Sequence, residues 1–143
     1  MTDVPVIDSF KDEFAFLSNF YPCEVIFEGR AYKSVEHAFQ AAKTLDEFER
    51  KQVRFAPTAG GAKRIGRTVT LRPDWEDVKL EIMESLVEQK FANDYDLAVR
   101  LDLTYPAILI EGNWWGDTFW GVCEGKGENH LGKILMKVRS QIQ

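Results

Sequence analysis

Glu36, Gln40 and Lys43 stand at i, i+4 and i+7 in the stretch Ser34-Val35-Glu36-His37-Ala38-Phe39-Gln40-Ala41-Ala42-Lys43. At 3.6 residues per turn, that spacing puts a carboxylate, an amide and an ammonium on one face of a helix. A carboxylate beside an amine can move protons. An amine whose charge is suppressed by burial can act as a nucleophile. The same residues also fit a solvated ion pair on a surface helix. What surrounds them decides between the two.

The elements that must position this face are legible around it. Ser34 can cap the helix by accepting a bond from a free first-turn N–H. Val35, Phe39 and Ala42 form an apolar stripe beside the polar face. Upstream, Glu24-Val25-Ile26-Phe27-Glu28, then Gly29, then Ala31-Tyr32-Lys33 reads as a hairpin that delivers the chain to Ser34. Before it, Ser18-Asn19-Phe20-Tyr21-Pro22 has turn chemistry. It could offer Ser18, Asn19 and an aromatic ring to a ligand, or be a plain turn pinned by Phe20. A short strand is expected within 4–10. Downstream, 45–54 reads as helix with Phe48 and Val53 inward and its charges, Arg50 among them, solvated. Thr58 can cap a short helix over 59–65. Lys63-Arg64-Ile65-Gly66-Arg67, with Arg72, is the most basic segment; it suits a phosphate or an ordinary helix end.

The longest helix is expected from Trp75 to about 92, capped by Asp74 and apolar at Trp75, Val78, Ile82 and Leu86. Another short helix follows over 95–103, and a short strand over 106–111. Asn129 looks like the cap of a last helix to about 141, whose free N–H groups would be an anion site. Between these lies Gly112 to Gly132, with Trp114-Trp115-Gly116-Asp117, Phe119-Trp120-Gly121 and Gly125-Lys126-Gly127. An aromatic loop with one carboxylate, Asp117, is a candidate substrate wall; a plug over the core is the plainer reading. The fold class expected is α+β, mainly α, with a hairpin or small sheet.

Composition bounds the function. A chain of 143 residues fits one domain. With 45% hydrophobic residues it can bury a core. A net charge of −5 excludes a molecule that grips nucleic acid by overall charge, though not a local basic patch. No apolar run reaches the roughly 18 residues of a membrane span. The first residues have neither the basic head nor the apolar stretch of a signal peptide. Cys23 and Cys123 give no disulfide framework, and a cytoplasmic location is expected. The two histidines fit no metal-ligand spacing, and no nucleophile-elbow motif occurs. Neither a metal nor a cofactor is expected. Hydrolysis, if any, must then run on carboxylates, a lysine and water.

Taken together, Ser18-Asn19-Phe20-Tyr21-Pro22, Tyr32-Lys33-Ser34-Val35-Glu36-His37-Ala38-Phe39-Gln40-Ala41-Ala42-Lys43, Gly66-Arg67, Trp75, Trp115-Gly116-Asp117 and Gly125-Lys126-Gly127-Glu128-Asn129-His130-Leu131-Gly132 resemble the YbiA-like family of the NADAR superfamily. The Glu-His-x-Phe-Gln-x-x-Lys block and the closing Gly-rich block are specific as a pair. The aromatics Trp114, Phe119 and Trp120 make this loop richer than the shortest family pattern. The resemblance implies a small, mainly helical domain with N-glycosidase activity. Its substrates would be phosphoribosylated amino-pyrimidine intermediates of riboflavin synthesis, or ADP-ribose on the guanine amino group, in nucleic acid or free. On that footing Glu36, Lys43 and Asp117 are the candidate catalytic residues. Arg67 and the segment with Gly125, Lys126, Gly127 and Asn129 would hold phosphate. Trp115, Tyr32 or Phe20 would stack on the base or sugar, and Ser18, Asn19 and Gln40 would hydrogen-bond the substrate. A non-catalytic module that binds ADP-ribose or a nucleotide, and a structural interaction protein with the Trp-rich loop as its surface, are the alternatives.

Overall fold

The computed structural model describes residues 3–142. In chain order the elements are β1 (Val6–Ile7), a 3-10 turn (Asp12–Leu17), β2 (Val25–Phe27), β3 (Arg30–Tyr32), α1 (Val35–Ala42), α2 (Glu47–Arg54), α3 (Ala59–Gly66), α4 (Trp75–Ala92), α5 (Tyr95–Asp102), β4 (Ile108–Leu109), β5 (Gly112–Asn113), β6 (Val122–Cys123) and α6 (His130–Ile142). The class is α+β and mainly α, as expected. The chain divides into two compact units: one contains Asn19–Lys90, the other the two ends, up to Ser18 and from Phe91 onward.

The Asn19–Lys90 unit is built around α1. Ser34 caps it: its Oγ accepts from the His37 N–H at 3.0 Å. The His37 ring is then fixed at both nitrogens, Nδ1 to the Ser34 hydroxyl at 2.7 Å and Nε2 donating to the Ala56 carbonyl at 3.0 Å. The β2–β3 hairpin turns through Glu28 and Gly29, both at positive φ, which is the backbone a tight two-residue hairpin requires. The outer edge of β2 is covered by one side chain. Gln89 of α4 accepts from the Ile26 N–H at 2.8 Å and donates to the Ile26 carbonyl at 2.7 Å, so its amide stands in for a neighbouring strand. Phe39 of α1 packs against Trp75 at the start of α4, ring centroids 5.0 Å apart.

Two expectations for α2 need correction. Phe48 points to solvent at 68% exposure, while Val53 is fully buried. Arg50, read as a solvated charge, is buried: it pairs with Glu28 of the hairpin turn, donates from Nε to the Thr44 carbonyl at 2.7 Å, and lies over the Phe27 ring. The inward face of this helix is therefore set by a guanidinium that spans from hairpin to helix, and Phe48 falls on the opposite side. The apolar stems of such side chains readily cover core surface.

The other unit pairs β1 with β4 in parallel, Val6 with Ile108 and Ile7 with Leu109. Both strands are shorter than the apolar stretches that announced them. α5 and α6 pack together, and Leu97, Leu101, Leu131, Leu135 and Val138 on these two helices are buried. A second short parallel pair, β5 with β6, closes the loop that carries the tryptophans. Among the described residues no helix is long and apolar enough to cross a membrane.

Two outcomes are expected. Ser34→Ala removes both the cap and the partner of His37 Nδ1, and should lower the unfolding free energy by about 1–3 kcal/mol in urea titrations. Lys90 is buried inside α4, and burial lowers its pKa from an ordinary 10.5 to about 8. The unfolded chain thus binds more protons than the folded one between those values, so stability should rise as pH climbs through that window. Lys90→Met should flatten that rise, as read from thermal midpoints at a series of alkaline pH values.

Candidate active site

All eight residues of α1 are buried, including Glu36, His37 and Gln40. His37 is held as described above. Glu36 and Gln40 are held by each other: Gln40 Nε2 donates to Glu36 Oε2 at 2.6 Å. The other amide oxygen, Gln40 Oε1, is buried with no hydrogen-bond donor. It lies against Gly66 of α3, where a Cβ would overlap it, so glycine at 66 is what lets α3 approach α1 this closely. The Glu36 N–H donates to the Asn19 carbonyl at 3.0 Å, which fastens the 18–22 turn to the first turn of α1. The Asn19 side chain reaches the Met83 sulfur of α4 at 3.5 Å.

Lys43 follows α1 directly and is half-buried. Its carbonyl accepts from the Arg72 N–H at 2.7 Å, fixing the backbone at this point. Burial pushes its ammonium pKa down, the Glu36 carboxylate opposes this, and the charges of Lys63 and Arg67 push it down further. Lys43 is therefore an amine whose charge is disfavoured by its surroundings, next to a carboxylate able to take its proton. Lys63 and Arg67 sit one helical turn apart at the end of α3. The Lys63 ammonium lies 5.9 Å from the centre of the Phe20 ring, which is 44% exposed. One face of the Asn19–Lys90 unit thus carries Glu36, Gln40, Lys43, Lys63 and Arg67, with an open aromatic ring at Lys63. Among the sequence candidates, Lys63 went unsingled within its basic run. Its i, i+4 spacing with Arg67 is the signal that marks it.

Tyr32 is placed differently. It is 3% exposed on β3, and burial raises the pKa of its hydroxyl against the opposing charges of Arg50 and Arg54. Ser18, half-buried, donates its N–H to the Ala15 carbonyl at 3.0 Å and ends the 3-10 turn.

Asp117, Trp115 and the Gly-rich segment belong to the other unit. Asp117 organises its own loop. Its Oδ1 accepts from the Phe119 and Trp120 amides at 3.1 and 2.9 Å. Asn113 accepts from the Asp117 N–H at 3.0 Å and donates to its carbonyl at 2.9 Å. Trp114 and Trp115 project from this clamp, 80% and 48% exposed, in an edge-to-face pair. Glu124 and Gly125, both at positive φ, form the turn between Cys123 and Lys126, whose N–H and carbonyl groups bond each other. Gly127 passes so close to the Gly121 carbonyl that a Cβ would overlap it.

The free amides expected at the start of the last helix are not free. Glu128, Asn129, His130 and Leu131 donate to the carbonyls of Thr118, Gly121, Phe119 and Trp120. The tryptophan loop folds back over the helix end and supplies the acceptors that an anion would otherwise meet. The Asn129 side chain is likewise engaged, accepting from the Glu111 N–H and donating to the Leu109 carbonyl, both at 3.0 Å. What this segment can still extend to a ligand is the exposed Lys126 side chain.

A family model for the NADAR domain matches residues 7–143. The chain is 36% identical over 137 residues to the N-glycosidase YbiA of Escherichia coli (strain K12), covering 94% of this chain and 85% of that one. It is 37% identical to an N-glycosidase of Nostoc punctiforme, covering 88% and 84%. It is 39% identical to a riboflavin biosynthesis protein of Vibrio vulnificus over 90% of this chain and 35% of that larger one. The NMR structure of the Escherichia coli protein YbiA superposes with a TM-score of 0.84 at 34% identity, over 99% of this chain and 87% of that one.

The Lys43 environment makes a signed prediction. Glu36→Gln removes the charge that favours the ammonium, so Lys43 should titrate at lower pH than in the wild type. Lys63→Ala removes an opposing charge and should move the titration up. Acylation of Lys43 from neutral to alkaline pH, followed by peptide mass spectrometry, reads both shifts.

Proposed function

The chain belongs to the NADAR domain family, and from that footing we infer that it is an N-glycosidase that hydrolyses the bond between ribose C1 and an exocyclic amine in a phosphorylated N-riboside. The observation that carries this reading is the pairing of Lys43, an amine with suppressed charge, with the buried Glu36 carboxylate, beside the cations Lys63 and Arg67. Two substrates fit: the ribosylamino-pyrimidine phosphates of riboflavin synthesis, and ADP-ribose on the guanine amino group. Both carry the C1–N bond, a planar base and a 5′ phosphate or diphosphate. The relative named for riboflavin biosynthesis favours the first. A net charge of −5 also favours a free metabolite or a single modified base over a long duplex.

The chemistry follows from the groups present. An N-riboside is an aminal, and its sugar ring opens when O4′ leaves C1 with a proton and the nitrogen lone pair forms a C1=N imine. Neutral Lys43 adds to C1. The base amine takes a proton and departs, leaving a C1=Nζ Schiff base. Water then adds to C1, the lysine leaves, and the sugar phosphate is released as the aldehyde. Glu36 accepts the proton of the attacking nucleophile and returns it to the leaving amine. Arg67 holds phosphate and Phe20 offers a stacking face. Asn19 completes the substrate-binding set within the Asn19–Lys90 unit; Ser18, Trp115, Lys126 and Asp117 stand as separate candidates on the other unit. Cys23 and Cys123 are not joined in a disulfide, in keeping with a cytoplasmic enzyme.

Each candidate substrate is to be incubated separately with the protein, and free sugar phosphate or ADP-ribose measured. At least one should be consumed; turnover of neither removes the reading. Lys43→Ala should fold and lose at least 1000-fold in kcat, about 4 kcal/mol of barrier. Borohydride during turnover should add the mass of a reduced sugar at Lys43. Full turnover with no trapped adduct would assign the attack to water activated by Glu36.

A further inference from the structure

Gln40 occupies an awkward position for a group meant only to meet a substrate. The residue is 5% exposed, and its Oε1 is fully buried. Nε2 points at Glu36 Oε2 from 2.6 Å, while Oε1 is pressed on Gly66 with no donor. A buried acceptor without a partner is destabilising. Turning the amide over would place Oε1 against the carboxylate, and two acceptors facing each other repel unless one carries a proton. The observed orientation therefore gives the Glu36 carboxylate a donor, which suits its ionised form. A hydrogen bond donated to the charged form of an acid favours that form. Gly66 completes the device: any side chain there would displace Oε1 and tilt the amide away from Glu36.

We propose that Gln40 is a positioning residue that holds Glu36 as a carboxylate in the neighbourhood of Lys43, and that Gly66 is the backstop that keeps the Gln40 amide in that orientation. The proposal deepens the reading of this site as a glycosidase and takes its kinetic test from it. It assigns Gln40 to act on the substrate only through Glu36, as the base that receives the proton when Lys43 becomes a nucleophile.

The first test does not require turnover. In protein labelled with 13C at the glutamate carboxyl carbons, the Glu36 signal is assigned by its loss in Glu36→Gln and followed against pH in the wild type, Gln40→Met and Gly66→Ala. Gln40→Met keeps the length of the side chain and removes the donor, so the Glu36 midpoint should rise by about one pH unit. Gly66→Ala should raise it in the same direction. If Gly66→Ala does not fold, Gln40→Met alone decides. An unmoved midpoint in a folded Gln40→Met protein overturns the proposal, whatever the substrate proves to be.

The second test uses the substrate found active. Gln40→Met should lower kcat 10- to 100-fold, leave KM within about threefold, and move the acid limb of the pH profile up with the carboxyl titration. A raised KM with kcat preserved would make Gln40 a substrate contact and overturn the positioning role. If the wild type turns over neither substrate, the glycosidase reading falls while the carboxyl titration still judges Gln40.

Discussion

A helix with no exposed residue imposes the condition that the Asn19–Lys90 unit satisfies. Every side chain of α1 is inside, and three of them are polar. A buried polar group must find a partner or bear the loss of its water. His37 finds Ser34 and Ala56, Glu36 finds Gln40, and Gln40 finds only half of what it needs. The surrounding architecture is arranged around those requirements. The Asn19 carbonyl takes the Glu36 amide, α3 comes close through a residue with no side chain, and α4 supplies Trp75 against Phe39. Local order at the chemistry is in this sense a by-product of burying polar atoms and having to account for each.

The sequence displayed the parts of this arrangement that are written in short range. Caps announce themselves: Ser34 and Thr58 each accept from an amide three residues on. The hairpin turn at Glu28-Gly29 and the face shared by Glu36, Gln40 and Lys43 are likewise local properties. Long-range choices were hidden. Periodicity cannot tell that α2 turns Arg50 inward and Phe48 outward, because the partner that makes Arg50 tolerable is Glu28, 22 residues earlier. Nor can it show that the amides of 128–131 are already bonded to carbonyls of 118–121, since that depends on how a glycine-rich loop folds back. Glycine permits such a path without specifying it. Asp117 shows the same ambiguity: a lone carboxylate in a loop reads as a reactive group, and here its Oδ1 is also a loop-builder.

Two lysines of the Asn19–Lys90 unit are pushed toward neutrality by burial, with different neighbours. Lys43 has a carboxylate close enough to oppose the shift and cations that reinforce it. Lys90 lies deep in α4 with its ammonium 5.7 Å from the centre of the Tyr21 ring, where burial lowers its pKa and the Cys23 thiol opposes the shift. A depressed pKa alone would rank Lys90 above Lys43. Geometry reverses the order, because a nucleophile needs a proton acceptor and an approach for its target, and Lys43 is the half-buried one with Glu36 at hand.

The contact between Arg50 and Glu28 carries an implication for how such a sequence can drift. Arg50 is buried, Glu28 is at the exposed tip of a turn, and the guanidinium also binds the Thr44 carbonyl and covers Phe27. Replacing the arginine by an apolar residue would strand an acid at no great loss, since Glu28 can return to water. Replacing the glutamate would remove the nearer carboxylate of a buried cation that cannot return to water, leaving Glu47 at 4.0 Å. The two positions are therefore coupled unequally in descent: loss of the acid leaves the buried arginine with only the more distant Glu47 and the Thr44 carbonyl, whereas loss of the arginine leaves an acid that water can take.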